Sequence, residues 1–345
     1  MNRPKSKFGS KTKRSVNRVN LNDIARRVGV SPITVSRALR LPELVSPATR
    51  EKIQAAVEDL GYVPDLVASS LASRRSKVVA IILPTITQAL FADTIQGLVE
   101  HLRLEGYQLI VGESGYSGEI EGSLVATLLG RRPDGLVLVG GEHLPPTRRL
   151  LANAGIPIVE IWELPDSPID SVVGFSNFKA MYAMTQFLLN TGRRRIAFLS
   201  TRQNPRALAR LQGYRACLLE HGHMDPLVAI PNVPDDLTDP ATEFIKLVHA
   251  HPDLDAVCCT DDIIAFNVLF ACQRNGWPVP ERFAISGLCD LDMARKIYPA
   301  LTTVRIPSYD IGRETGRLIM GRLNGIINEP VTLDLGFEIV QRETS

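Results

Sequence analysis

The chain has 345 residues, so two or three compact units are expected, and its 45% hydrophobic content excludes a disordered protein. No apolar run approaches the roughly 18 residues that span a bilayer, so no membrane contact is expected. The net charge of +2 conceals an asymmetry, because residues 1–77 hold 16 Lys and Arg against 6 Asp and Glu while residues 78–345 hold 23 against 31. This pattern indicates that the basic head, and not the acidic body, meets a polyanion.

Residues 1–19 are polar and basic without a periodic pattern, which predicts a disordered tail. The segment lacks the apolar stretch and cleavage site of a secretory signal, so a cytoplasmic protein is expected. The cysteines agree with that compartment, because they are odd in number and lack metal-ligand spacing. They are expected to be reduced core residues: Cys217, Cys258, Cys259, Cys272 and Cys289.

Three short helices are predicted between residues 20 and 62, over 21–28, 31–39 and 46–60. Asn20, Ser31 and Ser46 have side chains that can cap these helices, and proline follows the second and third of them. Glycine follows the first and the third helix. The first two helices have the features of a helix-turn-helix, which needs a small residue at the crossing, a glycine in the turn and an apolar anchor. Ala25, Gly29 and Val35 supply these, and the alternative is a generic three-helix bundle.

Residues 65–77 form a predicted hinge, and beyond it apolar runs alternate with amphipathic helices. Runs without polar alternation predict strands that are buried on both faces of parallel sheets. They are too numerous for one sheet, so two α/β lobes with a cleft between them are predicted. The Pro- and Asp-rich segment Leu164–Asp170 is expected to cross between the lobes. The predicted strands are Val78–Leu83, Gln108–Gly112, Gly135–Val139, Ile156–Ile161, Ser171–Phe175, Arg195–Leu199, Ala256–Thr260 and Phe283–Leu288.

The stretch Leu21–Leu71, with LNDIARRVGVSPITVSRALR, VSPATR and VASSL, resembles the head and hinge of the lactose-repressor (LacI) family of bacterial regulators. The similarity continues over residues 20–340. It is greatest to the gluconate repressors, through LFADTIQGL (90–98), ELPDSPIDSVVGFSN (163–177) and LTTVRIPSYDIG (301–312). The resemblance implies an α/β protein with a three-helix helix-turn-helix head (20–64), a hinge helix, and a two-lobed body (78–340) like periplasmic binding proteins. It also implies a homodimer or tetramer on palindromic double-stranded operator DNA.

By position, the resemblance places Pro32 and Ile33 at the base-facing start of the second helix and Arg37 one turn further along. An arginine pairs with guanine through two hydrogen bonds, which contribute about 1–3 kcal/mol of discrimination. Pro32 and Ile33 have no side-chain donor and are expected to read DNA shape or a thymine methyl group. Leu71 resembles the family's minor-groove wedge, and the alternative is a linker leucine that packs on its own lobe. The hydroxyl residues are expected to contact phosphates, with capping or a surface role left open: Ser31, Thr34 and Ser36.

The resemblance also places a small ligand in the cleft, where strand ends converge. The implied set offers aromatic faces, a carboxylate for hydroxyl groups and guanidinium groups for an anion. Two arginines one helical turn apart favour a sugar acid such as gluconate, although a solvated basic face explains part of that cluster equally well. The implied effector-binding residues are Thr85, Gln88, Phe91, Phe175, Arg206, Arg210 and Asp261.

Several residues near the predicted cleft depart from the family or have no assigned direction. Cys289 and Trp162 stand at or near positions where many sugar repressors have aspartate. The loss of carboxylates there fits an anionic ligand or an altered specificity. His143, Glu160 and Glu163 are placed near the cleft without an orientation.

No enzyme, cofactor or metal motif is present in the sequence, and the histidine pairs at 221/223 and 249/251 are expected to be solvated. The prediction is therefore a DNA-binding transcription regulator, of the repressor type, whose operator affinity depends on a sugar acid. A regulator that responds to a neutral sugar and a sugar-binding receptor that works without DNA are the alternatives. Whether the ligand releases or strengthens DNA binding stays open.

Overall fold

A computed structural model describes residues 19–63, 75–87, 89–223, 225–230 and 239–345. The chain divides into two compact units, residues 1–74 and residues 75–345. Three of the sequence predictions fall partly or wholly outside the described residues: the basic tail, most of the hinge with Leu71, and Gln88.

Three helices form the described part of the first unit: α1 (Leu21–Val28), α2 (Pro32–Arg40) and α3 (Pro47–Leu60), with a 3-10 turn at Pro42–Leu44. Asn20 and Asp23 form a capping box that starts α1, and Gly29 ends it in the left-handed conformation with a φ of 75°. The Gly29 amide donates to the carbonyl of Ala25, which is buried, as is Val35. The roles predicted for these three residues are confirmed, and α2 runs one residue further than predicted.

The second unit contains two six-stranded sheets with helices on their faces. Its strands are β1 (Val78–Leu83), β2 (Gln108–Glu113), β3 (Gly135–Val139), β4 (Ile158–Ile161), β5 (Ser171–Gly174), β6 (Ile196–Leu199), β7 (Leu227–Ala229), β8 (Ala256–Cys259), β9 (Ala284–Cys289), β10 (Thr302–Arg305), β11 (Thr332–Asp334) and β12 (Glu338–Val340). Its described helices are α4 (Ala92–Leu104), α5 (Gly118–Gly130), α6 (Pro145–Ala152), α7 (Asn177–Asn190), α8 (Pro205–Glu220), α9 (Pro240–Ala250), α10 (Asp262–Asn275) and α11 (Ser308–Leu323), and 3-10 turns lie at Ala89–Phe91 and Asp292–Arg295.

Each sheet defines one lobe. The first lobe has the strand order β11-β5-β4-β3-β1-β2, and the second has β12-β10-β9-β8-β6-β7. All pairs are parallel except β10 with β12. The eight predicted strands are confirmed. Three short strands of three residues each, β7, β11 and β12, were missed, and so was β10, whose sequence TTVR is largely polar. The expectation of burial on both faces fails for β2, since it forms the sheet edge and leaves Ile110 and Val111 exposed.

The chain passes between the lobes at three places, and Leu164–Asp170 is not one of them. That segment joins β4 to β5 within the first sheet. Two backbone amides bind it there: Ile169 N donates to Glu160, and Ile158 N donates to Asp170. The actual passages follow β5, β10 and β11, since α7 packs on strands of the second lobe and α11 packs on the first. The predicted crossing was therefore wrong.

Candidate functional site

The second helix of the head presents an exposed surface around its first turn. Pro32, Ile33 and Arg37 are exposed, and Ile33 leaves 65% of its surface accessible although it is apolar. The opposite face is buried through Val35 and Ala38. The Arg37 guanidinium makes no hydrogen bond or ion pair with the described residues, so its donors are available to an external acceptor. The structure thus brings the three residues predicted to face bases onto one surface.

The hydroxyl residues of this helix divide into two groups. Ser31 caps the helix, because its Oγ accepts from the amide of Thr34 at 3.1 Å and lies 2.8 Å from the Thr34 hydroxyl. Capping, which the sequence left open, is therefore a role that Ser31 has in the structure, with Thr34 as its partner. Ser36 is half-buried and makes no such contact among the described residues.

The cleft of the second unit lies where carboxyl ends of strands from both lobes meet. It contains a small inner cavity of about 30 Å³ beside an outer chamber of about 330 Å³, and the two share lining residues. The first lobe contributes loops that follow β1, β2, β3 and β4. The second contributes α8 and the residues that follow β6, β8 and β9. The inner cavity is lined most prominently by Phe91, Tyr116, Trp162, Arg202, Arg206, Arg210, Asp261 and Cys289.

The first lobe forms an aromatic wall of the inner cavity. The rings of Phe91 and Trp162 meet edge to face with centroids 5.1 Å apart, and Phe175 packs behind Trp162 at 6.0 Å. Trp162 has a left-handed φ of 73°, and its indole N–H donates to the Thr94 hydroxyl at 3.2 Å. These contacts fix the indole against the cavity. Such a wall suits the carbon face of a small polyhydroxylated ligand.

Arg210 enters the cavity from the second lobe as a buried cation. Its Nε donates to Asn177 Oδ1 at 2.9 Å and its Nη1 donates to the carbonyl of Thr260 at 2.6 Å. Burial lowers the pKa of the guanidinium from its ordinary value, although the nearby carboxylates of Asp261 and Glu163 oppose that change. The cavity therefore has a fixed positive charge in a desolvated position.

Arg206 lies one turn before Arg210 on α8 and is also buried, at 8% exposure. Its Nη1 is 3.5 Å from Oε1 of Glu163, which belongs to the first lobe. The second carboxylate oxygen of Glu163 accepts from the amide of Gly141 at 3.2 Å. The pair therefore spans the cleft. Charge-assisted hydrogen bonds usually measure about 2.7–2.9 Å, so this contact is a long one.

The acidic side of the cavity is formed at the start of α10. Asp261 caps that helix, because its Oδ1 accepts from the amide of Ile264 at 2.9 Å. Burial raises the pKa of the Asp261 carboxyl, against that hydrogen bond and the charge of Arg210. Cys289 lines the same region, and burial raises the pKa of its thiol, so the neutral form is favoured. The Asp261 carboxylate thus uses one of its oxygens to cap α10.

An aromatic–arginine pair separates the inner cavity from the outer chamber. The guanidinium of Arg202 lies 4.5 Å from the ring centroid of Tyr116, and the two residues come from different lobes. Tyr116 has a left-handed φ of 60° and follows Gly115, which has the same conformation. Neither Tyr116 nor Trp162 was predicted from the sequence to bind the ligand. The GESG turn that precedes Tyr116 was the available signal.

The structure places the predicted effector residues unevenly. Four of them line the inner cavity: Phe91, Arg206, Arg210 and Asp261. Thr85 does not line it, because its hydroxyl binds the amide and hydroxyl of Thr87. Phe175 is buried behind Trp162 and supports the wall from outside the cavity. Gln88 lies outside the described residues.

His143 is oriented away from the inner cavity, between two carboxylates. Its Nδ1 lies 2.7 Å from Glu121 Oε1 and its Nε2 lies 3.4 Å from Glu160 Oε1. Burial alone would lower the pKa of His143, but the hydrogen bond to Glu121 and the charges of Glu121 and Glu160 outweigh it and raise the pKa to about 9. The imidazole is therefore a cation inside the first lobe.

The described ranges contain no group of three His, Cys, Asp or Glu side chains that could hold a metal ion. His221 is engaged with the carbonyl of Cys217 at 2.8 Å. None of the helices in the described part of the chain has both the length and the apolar composition required to span a bilayer.

Comparison with known proteins finds similarity over both units. A family model described as bacterial regulatory proteins of the lacI family matches residues 20–65, and one described as a periplasmic binding protein-like domain matches residues 185–345. The chain is 35% identical over 320 residues to the HTH-type transcriptional regulator GntR of Escherichia coli (strain K12), which covers 92% of this chain and 96% of that protein.

Two solved structures extend this similarity to the fold. A LacI-family transcriptional regulator from Silicibacter pomeroyi has a TM-score of 0.88 and 31% identity, covering 94% of this chain and 99% of that one. The transcriptional regulator CelR in complex with cellobiose has a TM-score of 0.69 and 31% identity, covering 95% of this chain and 100% of that one. The helix-turn-helix head and the two-lobed α/β body are thus features that this chain shares with solved regulators.

Proposed function

Because the chain belongs to the LacI family of bacterial transcription regulators, we propose that a small sugar acid such as gluconate controls its affinity for operator DNA. Like its relatives, the chain is a DNA-binding transcription regulator and not an enzyme. We propose that it acts as a repressor in the cytoplasm, where the operator is. The proposed division is a basic tail at 1–19, a DNA-binding domain at 20–64, a hinge at 65–77 and a ligand-binding and dimerisation domain at 78–340.

The buried arginine pair of the cavity carries the proposal for a sugar acid. Arg206 and Arg210 are each 8% exposed, and both face a space walled by Phe91 and Trp162. A desolvated guanidinium favours an anionic partner far more than a neutral one, because burial removes the water that would otherwise solvate its charge. The aromatic wall accepts the carbon chain of such a ligand. A carboxylate on a polyhydroxylated chain matches both features.

DNA binding is proposed to place Arg37 against guanine, with Pro32 and Ile33 reading shape or a thymine methyl group. One reading helix per chain requires two chains for a palindromic operator. Leu71, which lies outside the described residues, is proposed as the minor-groove wedge from each subunit. A ligand that changes the angle between the lobes would then change the hinge spacing and, with it, DNA affinity.

The proposed homodimer is supported by an apolar stripe on α10. Ile263 and Phe270 lie seven residues apart on one face of that helix and are 41% and 44% exposed. Gln273 donates to the carbonyl of Tyr298, which places this exposed aromatic residue beside the same helix. Phe270→Glu should therefore convert dimer to monomer in analytical ultracentrifugation. Leu219→Glu, at an exposed position on α8, is the control, and a dimer that survives Phe270→Glu would exclude this surface.

A neutral sugar is the second candidate, because Asp261 adds a carboxylate that can accept hydrogen bonds from hydroxyl groups. CelR, one of the similar regulators, is solved with cellobiose. Isothermal titration calorimetry of the full chain with gluconate and with glucose separates the two. Binding of gluconate but not glucose is expected. The reverse preference would replace the sugar acid by a neutral sugar and leave the regulator intact.

A further inference from the structure

We propose that Glu163 holds the place of the effector's carboxylate at Arg206 in the ligand-free protein and is displaced when the acid binds. The inference rests on the proposed function, because it names the residue with which a sugar acid competes. Glu163 is then a specificity-determining residue. An anionic ligand replaces the ionic contact that Arg206 loses when Glu163 leaves, whereas a neutral ligand cannot replace it.

The contact between Arg206 and Glu163 is weak enough for an effector carboxylate to replace Glu163. It joins the second lobe to the first through a single distance of 3.5 Å between Nη1 and Oε1. Beyond it, the Arg206 guanidinium makes no hydrogen bond to any residue that the structure describes, and the Phe91 ring lies 6.0 Å away. A guanidinium has five N–H donors. A buried cation with one long contact therefore has donors left for a better-placed carboxylate.

The surroundings of this pair leave access for a ligand from the cleft. Arg206 and Glu163 both line the outer chamber, and 15% of the Glu163 side chain is accessible. Gly140, with a φ of 105°, lies against them: a Cβ there would be 3.3 Å from Arg206 Nη1 and 3.5 Å from Glu163 Oε1. Glu163 keeps a separate hydrogen bond from the Gly141 amide. It therefore retains a partner in the first lobe after it leaves Arg206.

Arg210 is a weaker candidate for the same role. Its Nε and Nη1 are already committed to Asn177 and the Thr260 carbonyl. An acid that bound there would share a guanidinium that already uses two of its five N–H donors within the protein. Arg206 is the arginine whose present partner is both anionic and poorly placed. Its release from Glu163 also removes an ionic contact between the lobes, which connects ligand binding to lobe geometry.

The test compares gluconate with gluconamide, which keeps the hydroxyl pattern but replaces the carboxylate by an uncharged amide. Calorimetric affinities are measured for the full-length wild type, Glu163→Gln and Glu142→Gln. Glu142 lines the same chamber, so its variant removes an equal charge without touching Arg206. We expect Glu163→Gln to bind gluconate about fivefold more tightly than wild type, because the partly shielded ion pair between residue 163 and Arg206 no longer has to be broken. Its affinity for gluconamide should stay unchanged, and Glu142→Gln should show a smaller gain for gluconate.

Glu163→Asp provides a second variant in case the amide variant does not fold. The shorter side chain keeps the charge but retreats from Arg206, so gluconate affinity should again rise. Wild type that binds gluconate while both variants bind it equally or more weakly would overturn the displacement and leave the proposed function standing. Wild type that binds neither compound would overturn the sugar-acid function and the displacement together.

Discussion

Arg210 and Trp162 approach the cavity from opposite lobes and are joined through one side chain. The amide of Asn177 accepts from Arg210 Nε at 2.9 Å and donates to the carbonyl of Trp162 at 3.0 Å. All three residues are buried. The charge and the aromatic wall of the proposed effector site therefore share one hydrogen-bonded support, which links the two lobes.

Asn177→Ala should destabilise the protein and weaken gluconate binding, because it leaves a buried Arg210 N–H without its acceptor. The expected loss in the free energy of unfolding is about 1–3 kcal/mol, the cost of an unsatisfied buried polar group. Urea unfolding of the second unit, followed by tryptophan fluorescence, measures it. Asn190→Ala, at the exposed end of the same helix, should change stability by less than about 0.5 kcal/mol. Equal unfolding midpoints for the two variants would show that Asn177 does not support the site.

Arg210→Lys should weaken gluconate binding by about tenfold or more although the charge is kept, because an ammonium group cannot reproduce the planar fork. Calorimetry on the full chain measures the loss. Arg215→Lys, on the exposed face of the same helix, should bind gluconate as wild type does. If Arg210→Lys also binds like wild type, charge alone is what the site requires at this position.

Arg37→Ala should abolish the preference for operator over unrelated DNA while leaving gluconate affinity within about twofold of wild type. The loss of one bidentate arginine–guanine contact removes about 1–3 kcal/mol of discrimination. Fluorescence anisotropy at fixed salt on operator and scrambled duplexes measures the ratio, since phosphate contacts make affinity depend strongly on salt. A preserved operator preference would assign the reading role to another residue.

The buried His143 predicts a specific pH dependence of stability. Its folded-state pKa of about 9 lies above the ordinary value of 6.5, so the folded protein holds the proton more tightly than the unfolded chain. The stabilisation is present in full below pH 6.5 and is lost as the pH rises through 9. The stability difference between wild type and His143→Gln, from urea unfolding between pH 6 and 10, should therefore shrink over that range. Parallel pH profiles for the two proteins would contradict the assignment of a charged His143.

Local chemistry is what made parts of the fold predictable. Asn20 and Ser31 cap their helices through contacts within three residues, and Gly29 takes the left-handed conformation that the turn requires. Seven strands of the two sheets were predictable because they are buried and largely apolar, as parallel strands covered on both faces are. Leu164–Asp170 was misassigned because its Pro and Asp content resembles a linker. Only the fold shows that its backbone and side chains bind to β4.

The candidate site was predictable only in part, because its geometry depends on contacts between distant segments. Phe91 and Arg210 were found through the resemblance to the family, and both line the cavity. Trp162 was missed as a wall residue, since its left-handed backbone and its contact with Thr94 are not visible in the sequence. Thr85 was predicted to bind the effector, although its hydroxyl already forms a hydrogen bond with the hydroxyl of Thr87. The sequence thus identified the cleft, and the fold decides which side chains enter it.

One titration shows whether a sugar acid bound by the body controls DNA binding by the head. Fluorescence anisotropy of the full-length protein on DNA from upstream of its own gene is measured at fixed salt, with and without gluconate. We expect tight, sequence-specific binding whose affinity changes when gluconate is added, with no change on addition of gluconamide. Specific binding that gluconate leaves unchanged, at concentrations that saturate the body in calorimetry, would contradict control of DNA binding by a sugar acid.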